Sequence, residues 1–256
     1  KIVRVEATES YPIFAYAPDG KKWIKLYEPL AVKDEKGRST KHGYLGEKPV
    51  RFVHGLQQIR DLYNSEIAKL EAKLKKAQKD KDEPLQNSIL NQISDFQLDR
   101  VIICTGGSDG LNVASLGEHV IWFNSESEQI NYDEYKELLK YCKAIYNLPD
   151  VDAAGVKYAY EVAENFWNMK TIWLPKEKLS ANGKDFRDFM KFYANANYET
   201  IKLQFSNLII GALKMKFFER SNKTLRVKPT YLHYFLKVKG FYLYYPEKTY
   251  TDKVAE

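Results

Sequence analysis

Between Arg100 and Pro175 the hydrophobic period switches repeatedly between that of a strand and that of a helix, and this alternation constrains the fold more than any other feature of the chain. Short apolar runs at Val101–Cys104, His119–Phe123, Ala144–Leu148 and Thr171–Leu174 are separated by helix-spaced segments at Leu111–Ser115, Tyr132–Tyr141 and Gly155–Trp167. A β-α-β-α-β-α-β order predicts an α/β unit, a parallel sheet flanked by helices, because parallel neighbours need a crossover that a helix supplies. In such sheets the groups that bind and react gather in loops at the carboxyl ends of the strands.

On either side the pattern differs. Residues 1–56 read as short antiparallel strands (Ile2–Glu6, Pro12–Ala17, Lys22–Glu28, Val50–Val53), broken by turn signals at Pro18-Asp-Gly20 and Glu35-Lys-Gly37. Ile59, Leu62, Ile67, Leu70 and Leu74 then recur at helical spacing, and a lysine-rich stretch stopped by Pro84 follows. The first 97 residues are therefore expected to form a strand-rich lobe with a helical linker, 98–196 the α/β unit, and 197–256 a helical extension. Within that extension the pattern predicts helices at Tyr198–Lys214 and Pro229–Val238 and the start of a hairpin over Phe241–Tyr250.

Apolar residues make up 44 % of the chain, enough to bury a core. The longest apolar run, Asn207–Leu213, falls far short of the ~20 residues of a membrane span, so no membrane role is expected. Two cysteines, Cys104 and Cys142, build neither a disulfide framework nor a four-cysteine zinc site, and His42, His54, His119 and His233 lack metal-ligand spacing. The opening Lys1-Ile-Val-Arg-Val5 has no initiator Met and no signal-peptide layout, so the expectation is a segment of a longer protein of the reducing cytoplasm. Charge is uneven: residues 1–60 hold 12 Lys/Arg against 7 Asp/Glu and 201–256 hold 11 against 4, so basic flanks enclose a middle of net −6. Basic flanks suit a polyanion and an acidic centre suits hard cations, although solvated surface charge reads the same way.

Three clusters fall at the carboxyl ends of the expected strands. Asp150-Val-Asp152-Ala-Ala-Gly155 joins the strand Ala144–Leu148 to the next helix, placing two carboxylates where they either converge on one cation or cap the helix. Thr105-Gly106-Gly107-Ser108-Asp109 follows the first strand, where glycines admit a close backbone approach. Lys184-Asp185-Phe-Arg-Asp188 follows the fourth strand after a polar loop.

Over about residues 99–192 this arrangement resembles the toprim domain shared by bacterial and phage primases, topoisomerases and some nucleases. Gly106, Asp109 and Gly117 match the register of the family's first motif; Asp150, Asp152 and Gly155 meet its Asp-x-Asp-x-x-Gly in full; Lys184 and Asp185 match its Lys-Asp motif, with Arg187 where a later Asp is usual and Asp188 one residue on. Thr105 stands where the family has its Glu and cannot ionise, which leaves Asp109, Glu126 or another carboxylate to compensate. The stretch Tyr11–Pro29, followed by a Gly-rich stretch and Phe52-Val-His-Gly-Leu56, looks like the amino-terminal lobe of phage and mobile-element primases. Tyr231–Tyr245 is similar to the segment that opens the helicase half of phage primase–helicases.

The resemblance implies a DNA primase catalytic region of the phage or mobile-element type, making RNA primers on single-stranded DNA in a bacterial host cytoplasm. It implies Mg²⁺ or Mn²⁺ held by Asp150, Asp152 and Asp109, which would form the catalytic set, with nucleoside triphosphates and primer as further partners. Lys22, Lys25, Lys33, Arg38, Lys41 and Arg51 would face nucleic acid, and a fused or partner helicase would follow. Two other readings fit the same residues: a module that has lost chemistry with its Glu and grips single-stranded DNA, and a toprim nuclease.

Overall fold

A computed structural model of the chain describes residues 7–215 except 19, 38, 126 and 127, together with 218–221 and 224–227. The expected strand Ile2–Glu6, the helix Pro229–Val238 and the hairpin Phe241–Tyr250 lie outside the described residues. The chain forms two units, 1–54 and 55–256.

In the first unit β1 (Phe14–Tyr16), β2 (Ile24–Tyr27) and β3 (His42–Leu45) make an antiparallel sheet in the order β1-β2-β3, and β4 (Val53–His54) closes the unit. Among its described residues the buried apolar ones are Trp23 and Leu26. The Trp23 ring meets Phe52 edge-on at 5.0 Å and Phe52 meets His54 at 4.8 Å, so aromatic packing supplies the core that so short a sheet lacks.

The second unit opens with two helices, α1 (Leu56–Lys79) and α2 (Glu83–Asp95). Pro84, read from sequence as a stop, lies in the first turn of α2, where its missing N–H costs nothing, and Asp82 caps the helix by accepting from the Leu85 N–H at 3.0 Å. Both helices fall within the unit 55–256. Arg60 on α1 donates from Nη2 to Glu137 Oε2 at 2.8 Å, and the Tyr63 and Tyr141 rings lie 5.0 Å apart, which fastens α1 to the later helix Tyr132–Tyr141.

Then follow β5 (Leu98–Cys104), α3 (Gly107–Ser115), β6 (Val120–Phe123), α4 (Tyr132–Tyr141), β7 (Cys142–Leu148), α5 (Ala153–Asn165), β8 (Lys170–Thr171), α6 (Phe186–Phe192), α7 (Tyr198–Gly211) and β9 (Leu213–Lys214). The sheet runs β6-β5-β7-β8-β9, with β6, β5, β7 and β8 parallel and β9 antiparallel at the edge. Val101–Cys104, Val120–Phe123 and Ile145–Leu148 are buried without alternation, as strands covered on both faces must be. The expected α/β order is thus realised. Leu213 and Lys214, read from sequence as the end of the α7 helix, instead form β9, and a hairpin of β10 (Phe218–Ser221) with β11 (Thr224–Val227) follows. No helix among the described residues is long and apolar enough to cross a membrane.

Candidate functional site

The loops after β5, β7 and β8 meet at the carboxyl edge of the parallel strands. After β5 the backbone is extended at Gly106, and Asp109 falls in the first turn of α3, only 7 % exposed. There its Oδ1 accepts the Arg187 N–H at 3.0 Å, which ties the first loop to the start of α6. A Cβ on Gly110 would stand 2.4 Å from the Trp122 ring, so glycine is what lets α3 lie this close to β6.

After β7, Asp152 caps α5 by accepting the Gly155 N–H on Oδ1 at 2.8 Å. The same turn brings Gly155 under Asp150, where a Cβ would lie 2.2 Å from the Asp150 carbonyl oxygen. The loop after β8 is stitched to this turn: the Val151 N–H donates to the Lys184 carbonyl at 2.8 Å, and the Lys184 N–H donates to Asp188 Oδ2 at 2.9 Å. The Lys184 ammonium then lies 2.9 Å from Asp150 Oδ2 and 3.0 Å from Asp152 Oδ2. Asp185 caps α6 by accepting the Asp188 N–H at 2.9 Å and pairs with Arg187 at 3.2 Å.

The carboxylates differ in what stabilises their charge. The Gly155 N–H, with Lys184 beside it, holds Asp152 below the usual carboxylate range, while the two aspartates hold the Lys184 ammonium above its ordinary value. Burial, followed by the negative charges of Asp185 and Asp150, pushes Asp109 up to about 7 despite the N–H it receives. Burial also raises Asp185. Burial opposes ionisation of Asp188 too, but the Lys184 N–H, Asp185 and Ser180 outweigh it and hold that acid at about 2.

Of the expected site residues, Asp150, Asp152 and Lys184 come together on one point, and Asp109, Asp185 and Arg187 form the adjoining cluster. Thr105 donates its hydroxyl to the Leu148 carbonyl at 3.3 Å, and so binds the neighbouring strand. Glu126 and Arg38 lie outside the described residues. In the first unit Lys22, Lys33, Lys41 and Arg51 are exposed, whereas Lys25, on β2, is only 9 % exposed. Asp188, one residue past the place where the family's later Asp is usual, fixes the backbone of Lys184; its spacing from the capping Asp185 is the signal that marks it.

A divalent cation of the Mg²⁺ type takes hard oxygen ligands, and Asp150 and Asp152 already direct two such oxygens at one positive atom. That pair fits the ion in donor chemistry. No third ligand converges: among the described residues no group of three His, Cys, Asp or Glu is arranged around one ion.

No family model matches the chain, and neither does any curated protein sequence. Among solved structures the chain is similar to a DnaG catalytic core, at 14 % identity and TM-score 0.42, covering 74 % of this chain and 53 % of that one. It is similar to a DNA primase domain from Pseudomonas aeruginosa, at 15 % identity and TM-score 0.41, covering 79 % and 56 %. A third likeness is to a DnaG primase catalytic domain bound to ssDNA, at 13 % identity and TM-score 0.40, covering 78 % and 58 %. The chain spans a little over half the length of each of these structures.

Proposed function

We propose that this chain is the catalytic region of a DNA primase of the phage or mobile-element type, a nucleotidyltransferase that joins ribonucleotides on a single-stranded DNA template. The observation that supports the reading is the meeting of Asp150, Asp152 and Lys184, which lie on two loops more than thirty residues apart in sequence yet close on one point. Asp150 and Asp152 would hold Mg²⁺ or Mn²⁺, which when bound neutralises triphosphate charge and favours ionisation of the attacking hydroxyl. The chain's own residues do the positioning. Asp152 is oriented by the Gly155 N–H, and Asp188 and Val151 fix the loop that carries Lys184. The exposed Lys22, Lys33, Lys41 and Arg51 would draw template and nucleotide phosphates by charge, so binding is expected to weaken steeply as salt rises. A fused or partner helicase would follow in the full-length protein.

The test is primer synthesis from single-stranded DNA and ribonucleotides with Mg²⁺ or Mn²⁺. Labelled oligoribonucleotide is the expected product; its absence with either metal, from this chain and from the full-length protein alike, overturns the proposal.

Thr105 favours a second reading, a module that grips single-stranded DNA without chemistry, since its hydroxyl is spent on the Leu148 carbonyl and supplies no acid. The substitution Thr105→Glu separates the two. If the other carboxylates catalyse, restoring the acid beside them is expected to raise primer synthesis by about tenfold or more; a chain that only binds DNA would gain nothing, with its DNA affinity unchanged.

A further inference from the structure

The Asp150–Asp152 pair poses an electrostatic problem of its own. Asp150 is 9 % exposed, and its Oδ2 and that of Asp152 both lie within 3.0 Å of one atom. Two carboxylates so placed repel one another unless a cation lies between them, and at partial burial that repulsion is large. The cation in the structure is the Lys184 ammonium.

Two features set this lysine apart from an ordinary structural ion pair. Its backbone is fixed independently of its side chain, by the Val151 N–H on its carbonyl and by its own N–H on Asp188. The loop therefore keeps its place whatever the side chain does. The Lys184 side chain, meanwhile, is 49 % exposed against 12 % for Asp150, so the ammonium has an open way out on a flexible stem while the carboxylates stay. A divalent ion bound to the same two oxygens at ~2.0–2.1 Å would leave no room between them for the ammonium.

We infer that Lys184 is a tethered counter-ion that holds the Asp150–Asp152 pair assembled without metal and is displaced when a divalent cation binds there. The role rests on the metal reading of that pair and adds to it a competitor built into the chain. Lys184 is thus a positioning residue that lowers metal affinity, and it keeps the two carboxylates from splaying apart between turnovers.

The test measures Mn²⁺ binding to the full chain by electron paramagnetic resonance, with no nucleotide or DNA present. Lys184→Gln is expected to bind Mn²⁺ tighter by the order of tenfold or more. Its metal-free melting temperature should be lower than that of the unsubstituted chain, and the rise on adding Mn²⁺ larger. Lys184→Arg, which keeps the charge, should bind Mn²⁺ as the unsubstituted chain does. Equal or weaker binding by Lys184→Gln overturns the inference. An independent readout needs no variant: acetylation of Lys184 in the unsubstituted chain, followed by peptide mass spectrometry, should speed up under saturating Mn²⁺, and an unchanged or slower rate overturns the inference as well. If neither the unsubstituted chain nor Lys184→Gln binds Mn²⁺, the metal reading itself falls; if both bind it equally, only the role of Lys184 does.

Discussion

Replacing Gly155 with alanine is expected to cost the chain roughly 3 kcal/mol or more of stability and to disable the site in the same step. The added Cβ would lie 2.2 Å from the Asp150 carbonyl oxygen, 2.6 Å from its carbon and 2.7 Å from the Asp150 Cβ. Backbone atoms cannot rotate away as a side chain end can, so the turn between β7 and α5 has to open. Opening it pulls the Gly155 N–H from Asp152 Oδ1, removing the cap of α5, a contact typically worth about 1 kcal/mol by itself. It also moves Asp150 off the point it shares with Asp152 and Lys184. Urea unfolding of Gly155→Ala beside the unsubstituted chain measures the first effect, and Mn²⁺ binding measures the second. A loss under about 1 kcal/mol would mean that the turn adapts and that glycine is not required there.

The alternation from Arg100 to Pro175 is readable because each strand is buried on both faces and each helix is bounded by its own local chemistry. Asn131 and Glu134, for instance, form a reciprocal capping box at the start of α4, and the expected helix Tyr132–Tyr141 is the observed one. Errors arise where a residue's meaning depends on its neighbours in space. Pro84 looks like a stop in a lysine-rich run, yet at the first turn of α2 it is a start. The strand His42–Leu45 carries a glycine and little apolar alternation, and pairing with β2 makes it a strand. At the site, the motif spacing marks Asp150 and Asp152, the two aspartates that meet at the Lys184 ammonium. The different electrostatic fates of the site's carboxylates cannot be read there, because Lys184 reaches Asp150 and Asp152 only once the Val151 N–H has closed the two loops on each other, and the Arg187 N–H reaches Asp109 across 78 residues.

Asp109→Asn should make the metal-free chain more stable at pH 8 and no more stable at pH 4. Asp109 is 7 % exposed and lies near the charges of Asp185 and Asp150, with burial the larger cause of its rise to about 7. In the unfolded chain the same acid titrates near ~3.9. Its folded value is raised, so the folded state holds a proton that the unfolded state has already released between about pH 4 and pH 7. Stability falls as pH rises through that window and levels off above it. Each unit of difference is worth ~1.4 kcal/mol, so the full penalty approaches about 4 kcal/mol, an upper figure that local relaxation and water entry reduce. Asparagine keeps an Oδ1 acceptor for the Arg187 N–H and has nothing to ionise, which isolates the charge from the contact. The measurement is the urea stability of both proteins in EDTA from pH 4 to pH 8. Curves that coincide at pH 4 and separate steadily up to about pH 7 are expected, and curves that stay parallel throughout would show that Asp109 ionises in the folded chain as readily as in water. The separation, where found, is the stability given up to keep an acid in a dry place beside two others, a cost that a fold under selection for stability alone would remove with a single amide.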